Sequence, residues 1–243
     1  MDGTPGHPSP DHCLVSGCPV PRGNLKARTL TNLGIVEVRL GRYQRAGNHF
    51  QLALTLSQET GDRAGEATAM CGLGGVEMWR RQYGLAAEYF RQALTLDRKL
   101  GRRTGEAWAL EGLGSVHTGL DQPTEATEYH RQALAIFRET GDRDGQSWAL
   151  NGLGEAAHTN RSPAEALSHH TAALTIATDT DGRDQQARAH TGLGHAHRSL
   201  GSPARARRHY QQAMTIYTDL GLPEGEQIRT CLDTIEDDRA EPR

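Results

Sequence analysis

The chain has 243 residues, a formal net charge of −3, 36% hydrophobic residues and only 5% aromatic ones. That near-neutral balance gives no global basic excess to draw in nucleic-acid phosphates, and no apolar run approaches membrane-spanning length. Cys13, Cys18, Cys71 and Cys231 make no disulfide framework, and a chain of this length does not need one, so a reducing cytoplasm is the expected setting.

Residues 1–22 hold five of the ten prolines and carry no apolar period, which predicts a flexible N-terminal tail. Within it, Val15-Ser16-Gly17-Cys18 looks like a lipoprotein cleavage box. The preceding MDGTPGHPSPDHC lacks a basic start and an apolar stretch, so no signal peptide is expected.

From Asn24 onward the sequence repeats itself every forty positions. A GLG triplet stands at 72–74, 112–114, 152–154 and 192–194, with NLG at 32–34. Alanine recurs at Ala46, Ala86, Ala126, Ala166 and Ala206. Such a period marks stacked units, each too small to bury its own apolar face and each touching only its neighbours. In the second unit, Ala67, Met70, Leu73, Gly74 and Val76 fall largely three and four apart, and Leu85, Ala86, Tyr89, Phe90, Ala93, Leu94 and Leu96 keep helical spacing again after a break at 81–84. The unit is therefore a helical hairpin. First helices are predicted near 24–40, 64–80, 104–120, 144–160 and 184–200, and second helices near 43–59, 83–99, 123–139, 163–179 and 203–219. A last helix near 224–237 closes the array, which spans 23–238 as five units plus a capping helix and leaves 239–243 as a short tail.

The punctuation agrees. Gly61, Gly101, Gly141, Gly201 and Gly221 stand where helices should stop. Asp62 and Asp142 are placed to cap the helices that follow. Pro123, Pro163 and Pro203 open three second helices, where a missing N–H costs nothing. Gly74, Gly114, Gly154 and Gly194 are mid-helix, at about 0.8–1 kcal/mol each against alanine. Close contact with Ala86, Ala126, Ala166 and Ala206 on the partner helices is the expected reason.

Leu73-Gly74, Ala86, Phe90 and Ala93, and again Leu193-Gly194, Ala206, Tyr210 and Ala213, resemble the tetratricopeptide repeat in its forty-residue form. His130 and His170 replace the usual aromatic residue in the middle units, and the usual proline late in the second helix is missing. The resemblance covers about 24–236 and implies an all-α, right-handed solenoid of about eleven helices. The phrases RETGDRDGQSWALNGLGEA and LGLPEGEQIRTCL are also similar to the C-terminal repeats of actinobacterial SARP-type regulators and their NB-ARC relatives. Those regulators carry a DNA-binding domain and a nucleotide switch before the repeats. No GxxxxGK[ST] loop occurs here. What the likeness implies is a sensing or docking module, with no ATPase and no direct nucleic-acid binding.

In tetratricopeptide arrays the first helices line the concave wall. The resemblance thereby makes Arg28, Thr68, Met78, Trp108, Glu111, Trp148, Asn151, Glu155, His158, Arg188, His195 and Arg198 the candidate residues for a protein or peptide partner. Trp108 and Trp148 lie one period apart and should sit side by side as an anchor. The carboxylate clamp of chaperone-binding members is a poor match, because its slots hold Thr31, Cys71, Glu111 and Asn151, and Glu111 opposes an incoming carboxylate.

Other chemistries find little. His169-His170 and His195-Ala196-His197 are spaced one and two apart, so a helix turns them to different faces. Cys13 and Cys18 with His12 lack a standard zinc spacing. No GxSxG nucleophile motif is present. Arg205–Arg208 form a basic run with only Tyr210 as aromatic company, and read as a solvated face. No catalytic residue, cofactor or metal is expected. An alternative to a docking module is a ligand- or peptide-sensing domain that switches a regulator, in cis or in trans.

Overall fold

The protein is described by a computed structural model over residues 22–240, and side chains outside 24–235 lie beyond the description. The described residues form eleven α-helices and no strand. In chain order these are α1 (Arg22–Arg39), α2 (Tyr43–Thr60), α3 (Arg63–Trp79), α4 (Tyr83–Leu100), α5 (Arg103–Gly119) and α6 (Pro123–Thr140). They continue as α7 (Arg143–Thr159), α8 (Pro163–Asp179), α9 (Arg183–Ser199), α10 (Pro203–Leu220) and α11 (Glu224–Ala240). Each odd helix pairs with the next even one, giving five hairpins and a final single helix. The predicted tail 1–22 falls outside the described residues except for Arg22, which opens α1.

The caps work as their sequence implies. Asp62 and Asp142 accept the N–H groups of Gly65 and Gly145, both at 2.9 Å. Gly61, Gly101, Gly141 and Gly221 end their helices in the left-handed region. Four turns take that conformation without glycine, at Arg81, Asp121, Arg161 and Asp181, with φ from 55° to 60°. Each costs about 1–2 kcal/mol in a side-chain-bearing residue, and with no glycine at these positions the glycine pattern does not mark them.

The mid-helix glycines have a different partner from the one expected. A Cβ on Gly74 would meet the Phe90 ring at 2.8 Å, and one on Gly114 would meet the His130 ring at 2.6 Å. The alanines of the second helices are buried at 0% but are not what fills the notch. Each ring is in fact held twice. Phe90 lies against Gly74 of its own hairpin and Gly112 of the next, and His130 lies against Gly114 and Gly152. His170 follows with Gly154 and Gly192. So the second glycine of each GLG triplet admits the ring of its own hairpin and the first admits the ring from the hairpin before. In the first unit, where no described ring comes before, the triplet begins with Asn32.

A rung of ion pairs ties the base of three hairpins. Arg103 bonds Glu139 at 2.8 Å, Arg143 bonds Asp179 at 2.8 Å and Arg183 bonds Asp219 at 2.9 Å. The same positions one period earlier are Arg63 and Lys99, two cations, and Arg63 turns to Glu66 instead.

Curvature follows from which helices meet. Successive first helices touch, α1 with α3, α3 with α5, α5 with α7 and α7 with α9, whereas successive second helices make no comparable contact. The first helices therefore line the inner wall. The expectation that units touch only their neighbours is broken at one place. A Cβ on Gly41, in the turn between α1 and α2, would stand 3.6 Å from Cδ of Pro223, in the turn between α10 and α11. Beside it, burial and the charge of Glu224 both raise the Tyr43 hydroxyl pKa. The coil thus comes round far enough for its last turn to rest on its first.

Candidate functional site

The inner wall is densest in chemistry where α5, α7 and α9 run side by side. Trp108 and Trp148 are both half-buried, with ring centroids 6.0 Å apart at 73°, an edge-to-face contact. Trp108 also leans on the buried Phe137 at 5.0 Å. On the other side, the Arg188 guanidinium lies 5.3 Å from the Trp148 ring centre, a cation–π contact. Arg188 then grips Glu155 with two bonds, Nε to Oε1 at 2.6 Å and Nη2 to Oε2 at 2.7 Å. Burial alone would raise the Glu155 carboxyl, but the Arg188 charge and its hydrogen bonds hold it below the usual carboxylate range. The result is one continuous line of aromatic, cationic and anionic groups across three helices.

Two of the sequence candidates are enclosed. Glu111 is 5% exposed, accepts from Ser115 Oγ at 3.0 Å and has its carboxyl raised by burial. Asn151 is 0% exposed. Its amide donates to the backbone and side-chain carbonyls of Gln185, both at 3.1 Å, which leaves its oxygen to accept from His170 Nδ1 at 3.0 Å. Asn151 thereby ties α7 to α8 and α9, and Glu111 lies beneath the wall on α5.

The remaining candidates spread along it. Thr68 is half-buried and receives Arg102 at 3.2 Å, while Arg102 also bonds the Ala64 carbonyl at 2.6 Å and pairs with buried Asp97 at 3.0 Å. Met78 packs against the main core cluster. His158 is exposed and stacks on His195 at 5.5 Å. His195 Nδ1 meets the Tyr210 hydroxyl at 2.8 Å, and burial pushes His195 down to about 4. Arg198 is exposed near the end of α9. Arg28 is exposed on α1, the first helix of the array, and is the candidate farthest in sequence from the tryptophan pair.

Residues that sequence reasoning passed over also shape this wall. Arg102 and Asp97 lock the second hairpin to the third, and only the position of Asp97, equivalent to buried Ser57 and Phe137, hints at it. The Cys71 thiol, already considered as a clamp slot, is pushed up to about 12 by burial and by Asp97. No group of three or more histidine, cysteine or acidic side chains is arranged to hold a metal among the described residues. His190, His197 and His209 do cluster, with His190 and His209 sharing a 3.0 Å Nδ1 contact and His197 stacked on His209 at 5.4 Å. On the outer side a cleft of about 690 Å³ opens between α6 and α8, floored by Leu153 and Ala157 of α7 and rimmed by Tyr129 and His169. No described helix is long and apolar enough to cross a membrane.

Comparison with solved structures places the fold. BtubC from P. vanneervenii superposes with a TM-score of 0.62 at 18% identity, over 82% of this chain and 83% of that one. A Rap protein complexed with competence and sporulation factor gives 0.68 at 15% identity, over 89% and 72%. The APC/C hetero-tetramer Cut9–Hcn1 gives 0.70 at 21% identity, over 89% of this chain and 38% of that one. No curated protein matches the sequence significantly. The tetratricopeptide repeat model matches residues 25–99, 66–139, 105–179 and 145–219, registers that overlap by one forty-residue unit after another. With its five hairpins matched over residues 25–219 and stacked with the first helices inward, the chain belongs to the tetratricopeptide repeat family.

Proposed function

We propose that the chain is a non-catalytic binding module whose concave wall holds a peptide or an extended protein segment. The observation that carries this reading is the half-open Trp108–Trp148 pair with Arg188 laid against it. Half-exposed tryptophan offers large contact area at little entropic cost, and such anchors dominate binding energy. An apolar side chain fits against the tryptophan edges, and a charged or hydrogen-bonding group beside it meets the Glu155–Arg188 pair. His158, His195 and Arg198 extend the surface towards the C-terminal end, while Thr68, Met78 and Arg28 extend it the other way. The same fold holding a factor in the Rap complex, and a second subunit in Cut9–Hcn1, supports a protein or peptide partner.

The setting that best fits the sequence is regulatory and cytoplasmic. The likeness of two repeat phrases to SARP-type regulators favours control of transcription or signalling, with sensing of a peptide ligand as the second reading. Co-purification with mass spectrometry identifies the partner, and Trp108→Ala with Trp148→Ala tests the wall. Loss of the captured protein with helicity intact supports the reading. Capture that survives both changes but fails on Tyr129→Ala moves the site to the outer cleft and ends the concave-wall proposal.

A further inference from the structure

Among the described residues, one half of the interface that joins the hairpins has no partner. On α3, α5, α7 and α9 the side facing the preceding hairpin is closed, with Ala69, Ala109, Ala149 and Ala189 all at 0% exposure and Val76 at 0%. One period earlier the same side of α1 lies open: Leu25 is 62% exposed, Leu33 44% and Val36 51%. These positions fall on one stripe of the helix, and Leu40, 45% exposed, prolongs it. At Leu25, Leu33 and Val36 the stripe continues the surface that holds the repeats together, whereas the Leu40 position is just as exposed at Leu120 and Leu200 inside the array.

The stripe is not shaped for another hairpin of this kind. An incoming ring needs a glycine, as Phe50 has at Gly72, and α1 offers Asn32 there. Gly65, which lets α3 approach Ser57, corresponds to Leu25. Nor does the far end of the array match it. α11 exposes Gln227, Arg229, Thr230 and Asp233, and Thr234 stands where Gly194 admits a ring. Head-to-tail stacking of two copies would press the charged Arg229 and Asp233 and the polar Gln227 and Thr230 onto leucine, which is costly without pairing.

A like surface does fit. Across a two-fold axis the stripe meets itself, and an isologous contact closes with two copies. Asn32 provides the selecting chemistry. It is an exposed amide set inside an apolar stripe, and an amide carries both donor and acceptor, so it pairs with its own copy on the axis. A single such asparagine fixes register in helix pairs. We propose that Leu25, Leu33 and Val36, with Asn32 at the centre, form a self-association surface through which two copies pair α1 against α1, antiparallel. This arrangement leaves the Trp108–Trp148 stretch of both concave walls free, on α5 and α7.

Sedimentation velocity on the full chain tests it, with Leu25→Glu/Val36→Glu and Asn32→Asp as variants. The wild type is expected at twice the chain mass. The double variant is expected as a monomer with an unchanged helical spectrum, and Asn32→Asp is expected to weaken pairing at least tenfold by setting two carboxylates on the axis. A wild type that stays monomeric at its highest soluble concentration overturns the proposal, whatever else covers the stripe. So does a dimer that survives the double substitution. If the double variant fails to fold, Asn32→Asp decides alone, because an unchanged dimer there removes the axis.

Discussion

His130 occupies the socket that Phe90 occupies one repeat earlier, pressed between Gly114 and Gly152 as Phe90 is between Gly74 and Gly112, yet neither of its ring nitrogens finds a hydrogen-bond partner. Burial, with the Arg188 charge nearby, pushes it down to about 3. An unsatisfied buried polar group costs about 1–3 kcal/mol. His130→Phe, which restores the ring used in the second hairpin, is expected to stabilise the fold by about 1–2 kcal/mol. Urea denaturation followed by circular dichroism measures it, and a destabilised variant would show that the socket is cut for a five-membered ring.

Acid should undo the array at the same place. His170 is likewise lowered, to about 4, chiefly by burial. Both imidazoles are neutral when folded and take up protons near pH 6.5 when unfolded. The unfolded state therefore binds more protons below that pH, and stability falls as pH drops from about 6.5 towards 4. Each histidine contributes about 1.4 kcal/mol per pH unit in that window. His130→Phe should remove its share of the slope, so parallel pH profiles for wild type and variant would refute the assignment.

Glycine substitutions should separate socket from surface. Gly112→Ala drives a methyl group into the Phe90 ring, whereas Gly75, on the inner wall, has nothing within 4 Å of an added Cβ. The first change is expected to cost about 1–3 kcal/mol by overpacking. The second is expected to gain about 0.5–1 kcal/mol from helix propensity. Thermal midpoints of the two variants, moving in opposite directions, are the readout.

The missing rung can be added. Lys99→Glu gives Arg63 the partner that Arg103 has in Glu139 one period on. The pair is solvent-exposed, so the gain is small, about 0.2–1 kcal/mol, and should fade in high salt. A salt-independent change would mean that the new carboxylate acts elsewhere.

Arg188 is expected to matter beyond binding. Arg188→Ala strips Glu155 of both hydrogen bonds and opens the space over Trp148. A loss of about 1.5–3 kcal/mol follows for hydrogen bonds to a charged group. Because Glu155 is held below its ordinary value, this contribution is present above about pH 4.3 and is lost as pH falls below it. A double-mutant cycle with Glu155→Gln, run at neutral and acid pH, isolates the pair.

The hairpins and their caps could be read from the forty-residue period, because helix signals are local and the period repeats them, whereas the inward face of the first helices came from the family resemblance. Pro123, Pro163 and Pro203 alone placed three helix starts to the residue. The purpose of Gly74 could not be read the same way. Its partner, Phe90, lies on another helix, and spacing cannot tell a ring in a notch from an alanine across a gap. Nor could Asn151 be read, since a polar residue on an inward position looks the same whether it faces a groove or Gln185. The contact of Gly41 with Pro223 had no local signature at all, being set by curvature summed over every hairpin between them.

That last contact changes how the molecule should come apart. A linear stack melts from its ends, each terminal unit fraying without notice to the other. Here the two ends share the Gly41–Pro223 junction, with Tyr43 and a buried Glu224 oxygen that has no hydrogen-bond partner. Loosening α11 uncovers the turn before α2, so hydrogen exchange in the first and last units should rise together, as in a hoop cut at one point.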